Sequence, residues 1–409
     1  MIDACANKEL LTLKQALKLI LDVSNTTLGF ERVNIKNARN RVLYEPIHSA
    51  IDVPSFRNSS MDGYALHHSY TEGDKPSVVG TSWAGRPFLG DIKVNECIRI
   101  FTGAFVPDQC DRVIMQENAQ QDKGQLKISA PPLPHENIRN IASDTHKNQR
   151  LLNQGKRLKT ADLGLLASCG IMEAPVFKRL TVGFFSTGDE LIPLGTAANI
   201  GQIYDSNRYT LHALLEEAGA IAIDMGVIKD EPEAVEKALL SASTSCDVII
   251  TSGGVSVGEA DFITPTLAKI GRVDAWKVAI KPGKPLVFGK VNNALFFGLP
   301  GNPVSVMITF QQIVLPSLQK LMGQHVQQQA MHLHAICEEE IKKQPGRMEF
   351  QRGIATNKNG QLTVRTTGDQ SSHRLNSMSD ANCLIVLQQA DGNIAEGQTV
   401  NIQLLENTL

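Results

Sequence analysis

Apolar residues recur at helical spacing near the start of the chain, where Leu13, Ala16, Leu17, Ile20 and Leu21 form one stripe and Thr12 is placed to cap it. From about Pro46 to Ile141 the pattern breaks into short β-type runs, at 77–80, 97–101, 112–115 and 126–128, separated by Gly and Pro. That texture predicts a small β-rich lobe. Helical spacing returns at 160–169 and is closed by Gly170. From about Leu180 to Gly323, strand and helix alternate. Strands are predicted at 180–185, 221–228, 248–250, around 276–280, and near Val287 and Phe296. Helices are predicted at 206–217, after Pro232 to Leu240, after the strand at 248–250, and from Pro303 onward. Alternation with such crossovers implies a mostly parallel sheet covered by helices on both faces, a three-layer α/β/α domain. After a Gln-rich linker at 324–330, short strands at 333–336, 348–350, 362–364, 383–387 and 400–402 predict a compact β-barrel or sandwich. The chain thus divides into 1–179 with an inserted lobe at about 46–145, then 180–328, then 329–409.

Composition narrows the function classes. The 409 residues hold 42% hydrophobic and 20% charged positions, enough apolar content for several cores. The formal net charge of −2 argues against a general nucleic-acid binder but leaves room for a local basic pocket. The seven cysteines are odd in number, widely spaced and without a C-x-x-C pair, so neither a disulfide framework nor a structural zinc site is expected. Residues 1–22 lack an uninterrupted apolar core, and no 18 apolar residues run together; a cytoplasmic protein with no membrane span is expected.

Four segments in the middle region sit at the carboxyl ends of predicted strands, where open α/β sheets bind ligands. Ser186-Thr187-Gly188-Asp189-Glu190 offers a tight turn followed by two acids. Thr251-Ser252-Gly253-Gly254-Val255-Ser256-Val257-Gly258-Glu259-Ala260-Asp261 follows a buried-type strand; Gly253 and Gly254 let backbone N–H groups approach an anion, Ser252 and Ser256 add donors, and Asp261 suits a divalent cation. It matches neither a P-loop nor a dinucleotide-binding loop. Lys277, Lys281 and Lys284 are staged around a Pro-stiffened turn and supply point charges for a phosphate or another oxyanion. Gly298-Leu299-Pro300-Gly301-Asn302-Pro303 is a rigid turn into a helix, in which Asn302 reads equally as ligand contact or helix cap. Acids beside anion sites recruit Mg²⁺, and Glu190, Asp230 and Asp261 form the candidate metal set. Asp62 and Thr102 in the lobe, and arginines beside short strands in the tail, are further candidates. Each segment taken singly also reads as an ordinary structural turn or a solvated charge.

Seven motifs in one order change that balance. Asn58-Ser59-Ser60-Met61-Asp62-Gly63-Tyr64-Ala65, Arg99-Ile100-Phe101-Thr102-Gly103-Ala104, Phe185 to Leu191, Gly201-Gln202-Ile203-Tyr204-Asp205-Ser206-Asn207, Ser252 to Asp261, Lys281 to Pro285 and Gly298 to Ser305 together resemble the molybdopterin molybdenumtransferase family, the MoeA type also represented by the gephyrin E domain. The resemblance runs from about Leu13 to Leu405. It implies that adenylylated molybdopterin and molybdate are converted to molybdenum cofactor with release of AMP, in a Mg²⁺-dependent reaction whose sulfur ligands arrive with the substrate. It implies a helical stalk carrying the N-terminal lobe, and an elongated homodimer with the site between subunits. Transient contact with the molybdopterin adenylyltransferase and with downstream cofactor enzymes is also implied. By the same resemblance, Glu190, Asp230 and Asp261 surround metal and substrate, and Lys277 and Lys281 bind anions. Pro300 and Pro303 shape the adjoining loop, while Asp62, Thr102, Arg139 and Arg352 match family positions. One departure stands out: where the family often has Asn-Ile-Arg-x-x-Gly-Glu-Asp, this chain has Asn137-Ile138-Arg139-Asn140-Ile141-Ala142-Ser143-Asp144.

Two other function classes fit parts of this pattern. One is a non-catalytic molybdopterin-binding scaffold or carrier, against which the absence of a fused second domain and long linker in 409 residues counts. The other is a nucleotide pyrophosphatase on a related α/β domain, which the lobe and tail motifs disfavour.

Overall fold

The computed structural model describes residues 10–25, 28–255, 262–325 and 332–405. Its centre is a six-stranded sheet ordered Ile221–Ile228, Thr181–Thr187, Val248–Ser252, Ala294–Leu299, Pro285–Val291 and Arg272–Lys277. The first four strands are parallel. The last two join by antiparallel hairpin pairing, which the two short runs near Val287 and Phe296 did not announce. Val248–Ser252 and Ala294–Leu299 are buried at every position, as the covered middle of a parallel sheet requires.

One face is covered by Leu211 and Leu215 of the Ser206–Ala218 helix, by Val304 and Ile308 of the Pro303–Thr309 helix, and by Ala16 and Ile20. The other is covered by Val235 and Leu239 of Pro232–Ser245 and by Leu267 of Ile263–Ile270. These make the three expected layers. The opening helix, Leu13–Val23, starts in a Thr12/Gln15 capping box and lays its apolar stripe on the central unit. Leu11 N–H donates to Lys277 O at 3.0 Å, and Ser24 and Ser317 hydroxyls meet at 2.6 Å, so both ends of this helix are tied to the central domain. The helix expected from Pro303 runs on through a π turn at Phe310–Val314 to Leu315–Leu321. Pro316 has no N–H to offer the preceding turn, a known cause of such register widening.

The remainder of the N-terminal region is mostly β. Phe30–Asn34 pairs with Glu173–Phe177, and Leu43, Leu158, Leu166 and Val176 form a small core there with the Thr160–Ser168 helix. The lobe is a six-stranded sheet, with Gly63–His67 between Cys110–Met115 and Glu96–Ile100, closed around Ile98, Ile100 and Val113.

The C-terminal unit is a closed five-stranded barrel. Met348–Lys358 pairs with Gln361–Thr366 on one side and Cys383–Leu387 on the other; Leu333–Cys337 and Thr399–Leu404 complete the ring. A short strand of the central domain, Ile280–Lys281, adds itself to this barrel, in parallel register with Met348 and Glu349. The six described cysteines are free and buried, and burial pushes the thiols of Cys97, Cys110 and Cys383 up to about 12, which makes them inert as nucleophiles.

Candidate functional site

In the central sheet, Thr181–Thr187 lies between Ile221–Ile228, which follows it in sequence, and Val248–Ser252. Successive strands are therefore added on opposite sides of it, and the crevice beyond the strand ends at this switch in strand order is the expected ligand position. A cavity of about 920 Å³ occupies it. Its floor is the Ser252-Gly253-Gly254 turn, held to the neighbouring strand by a 2.9 Å contact between the hydroxyls of Ser186 and Ser252. Gly253 and Gly254 have φ of +89° and +64°, and a Cβ on either would stand 2.7 Å from Thr187 O or Thr187 Oγ1. Only glycine lets this backbone lie so close to the adjacent strand end.

Glu190 and Asp230 line the same cavity. The Asp230 carboxyl is held above its ordinary range, first by partial burial and then by the nearby charges of Asp189 and Glu190. The Thr187 hydroxyl is close enough to soften that effect without reaching hydrogen-bond geometry. Two acids that repel each other in a half-buried cleft favour a shared cation. The same cavity is lined by Lys281 and Lys284 on the Pro-stiffened turn, and by Arg347 from the barrel. Lys281 Nζ donates to Glu349 Oε1 at 2.7 Å. Pro300, Asn302 and Pro303 form another wall. Asn302 occupies the N-cap position but its side chain makes no capping bond, so the cap alternative is not what holds it.

The expectations for other residues fare differently. Lys277 ends its strand on an exposed face and is not part of the cavity lining, which corrects the idea of three lysines on one site. Lys277 is the last residue of its strand, paired with Pro285, and the next residue, Val278, gives its N–H to Lys284 O at 2.8 Å. Arg352 is wholly buried in the barrel, where a substrate cannot touch it. Its guanidinium donates to Ser377 Oγ at 3.0 Å and to the carbonyls of Asp369, Gln370 and Ser371 at 3.3, 3.0 and 3.0 Å. The expected contact residue is thus an internal strut beneath a loop whose Gln370, Ser371 and Ser372 face the cavity. Ser256 and Asp261 lie outside the described residues, and among the described residues no cluster of three metal-ligating side chains occurs.

Asp62, Thr102 and Arg139 are in the lobe and do not line the cavity. Asp62 Oδ1 accepts the Thr102 N–H at 2.8 Å and its hydroxyl at 2.7 Å, and these two bonds, with Arg99 nearby, keep its carboxyl below the usual range. Arg139 is exposed on a two-residue strand paired with Asn58 and Ser59.

Sequence reasoning missed three contributors. Asn207 Nδ2 donates to Gly301 O at 2.7 Å and so fixes one cavity wall to another, while its buried Oδ1 has no partner among the described residues. Asp205 caps the same helix by accepting the Arg208 N–H at 3.1 Å. Both stood in a quoted motif, whose D-S-N pattern is an N-cap signal. Glu349 had no signal, because it reaches the site from a different domain.

Three family models match the chain in succession: the MoeA N-terminal region (domain I and II) at residues 11–170, a probable molybdopterin binding domain at 183–320, and the MoeA C-terminal region (domain IV) at 334–405. A molybdopterin molybdenumtransferase of Haemophilus influenzae is 45% identical over 403 residues, covering 98% of this chain and all of that one. The chain belongs to the molybdopterin molybdenumtransferase family. A gephyrin of Dictyostelium discoideum is 34% identical over 96% of this chain and 62% of its own length. The crystal structure of a molybdopterin biosynthesis MoeA protein from Pyrococcus horikoshii superposes with a TM-score of 0.83 at 27% identity, covering 97% of this chain and 100% of that one. Among the described residues no helix is long and apolar enough to cross a membrane.

Proposed function

We propose that this chain works in molybdenum cofactor biosynthesis as a molybdopterin molybdenumtransferase, taking molybdate and adenylylated molybdopterin and releasing AMP. One observation carries the reading: an acid pair, a lysine pair and a two-glycine turn line one cavity at the sheet's switch point. Nucleotidylated, multiply anionic substrates need both halves. Glu190 and Asp230 are hard oxygen donors whose mutual repulsion a cation relieves, which fits Mg²⁺, an ion held by one or two carboxylates and substrate phosphates. When bound, Mg²⁺ would supply charge neutralisation at the phosphate link that breaks.

The chain's own residues do the rest. The Gly253–Gly254 backbone approaches the anion closely, because neither position carries a side chain. Lys281 and Lys284 hold negative oxygens from their turn, and Gln370 to Ser372 line the barrel side. The sulfur ligands come with the substrate; the six described cysteines are all buried.

Asp62, Thr102 and Arg139 lie on the lobe, away from this cavity in a single chain. The proposal therefore includes a homodimer in which the lobe of one subunit covers the cavity of its partner. In the test, purified protein receives adenylylated molybdopterin and Mg²⁺ with and without molybdate. Molybdate-dependent AMP release is expected. AMP release of equal rate without molybdate would favour a pyrophosphatase, and no release by folded protein would favour a carrier.

A further inference from the structure

The Lys281–Pro285 turn touches two domains at once. Its first residues pair with the opening of the barrel strand Met348–Lys358, and Met348 N–H donates to Ala279 O at 2.8 Å. That register sets Lys281 directly beside Glu349. The lysine side chain is 47% exposed and lines the cavity; the glutamate side chain is 5% exposed. Their 2.7 Å contact therefore fastens a mobile, four-carbon ammonium to a fixed, buried carboxylate. Glu349 is itself braced: Gln351, two residues along on the same strand face, donates from Nε2 to Glu349 Oε1 at 3.2 Å and to Lys342 O at 2.9 Å.

A buried acid needs a partner, and the partner here is a cation of the cavity. From this we infer that Glu349 is a positioning residue: it holds the Lys281 ammonium at one point of the cavity wall and tempers its charge, so that the barrel sets the geometry of the anion site. This rests on the transferase reading for its turnover arm but not for its binding arm.

Two opposed effects follow from replacing Glu349 with Gln, which keeps the shape and removes the charge. The ammonium is no longer partly neutralised, so inorganic molybdate, measured by calorimetric titration, binds at least threefold more tightly. It is also no longer held in place, so turnover at saturating substrate falls at least tenfold. In a Lys281→Ala background both effects shrink below twofold, because the residue acts through the lysine. Glu349→Asp keeps the charge and retracts it by one methylene; molybdate affinity stays within twofold while turnover drops several-fold. This variant carries the test if Glu349→Gln does not melt cooperatively.

A merely structural role predicts something else: both affinity and turnover weaken, by the same factor with or without Lys281. That result, or a Glu349→Gln protein indistinguishable from the parent, overturns the assignment. If the parent protein binds molybdate but releases no AMP, the transferase reading fails by itself, and the binding cycle still decides the role of Glu349.

Discussion

Replacing Arg352 with Met separates a strut from a substrate contact. The side chain is fully buried and donates four hydrogen bonds, three of them to consecutive carbonyls of the loop at 369–371. Burial lowers its pKa, with Asp369 opposing, but arginine titrates so far above neutrality that the charge remains. Each bond from a charged donor is worth about 1.5–3 kcal/mol. Simple addition would give an upper bound, since carbonyls at the exposed end of the loop regain water when the arginine is removed. Methionine fills most of the volume, so the net loss should be about 3–5 kcal/mol, close to that for breaking other buried charged networks. Denaturant unfolding of the barrel should show this loss. Amide exchange should show its location, with protection falling across residues 367–374 and little change in the central sheet. Molybdate affinity and turnover should fall together, as Gln370 to Ser372 lose their fixed place on the cavity wall. A variant of unchanged stability and unchanged exchange that nevertheless lost molybdate binding would refute the reasoning, since only direct contact could explain it.

Asp230→Asn should remove metal-dependent turnover yet raise thermal stability at pH 7 without divalent ions. The folded-state pKa of Asp230 lies above the ordinary aspartate value of 3.8, so the fold binds this proton more tightly than the unfolded chain, and stability is lost as pH rises through that window. The stability gap should close below about pH 3.8, and Mg²⁺ should stabilise the parent but not the variant; scanning calorimetry across pH checks both. Asp62 has the opposite sign. Its pKa is lowered by the Thr102 N–H and hydroxyl, so its contribution is present above 3.8 and lost as pH falls through the folded value. Thr102→Val should move the Asp62 titration upward by NMR, though not all the way, because the backbone bond stays. Ala142, where the family often has Gly, sits at φ +60° with its N–H bound to Pro54 O. Ala142→Gly relieves the left-handed strain and gains unfolded-state entropy in return, so it should stabilise the lobe by about 0.5–1 kcal/mol in denaturant melts.

Local signals made much of this fold legible. The Leu13 to Leu21 stripe with Thr12, the alternation after Leu180, and the short strands after Gly323 all became the expected kind of element. What the pattern could not convey was assembly. Nothing in residues 13–21 says that their stripe would dock on the central sheet, because amphipathicity names a buried face but not its cover. The antiparallel return of Pro285–Val291 was hidden because a buried strand reads the same in either direction. At the site, loops at strand ends were readable, since glycines, acids and lysines there have few local uses. Arg352 was misplaced because a sequence shows that an arginine is present but not whether its fork points to solvent or to backbone carbonyls. Lys277 differed from Lys281 only through a strand register that its spacing does not record. Glu349 entered the site through pairing between domains, a contact with no trace in nearby sequence. The Ala142-Ser143 departure was visible, but its cost depended on a φ angle that only the fold supplies.

The central claim is that one cavity both cleaves the nucleotide link and places molybdenum on the pterin. A single-turnover reaction that counts AMP and molybdenum-bearing molybdopterin in the same quenched samples tests it most directly. The two products should rise together in a one-to-one ratio, and both should vanish in Glu190→Gln and Asp230→Asn. AMP appearing without molybdenum transfer, or either product surviving the loss of both acids, would contradict it.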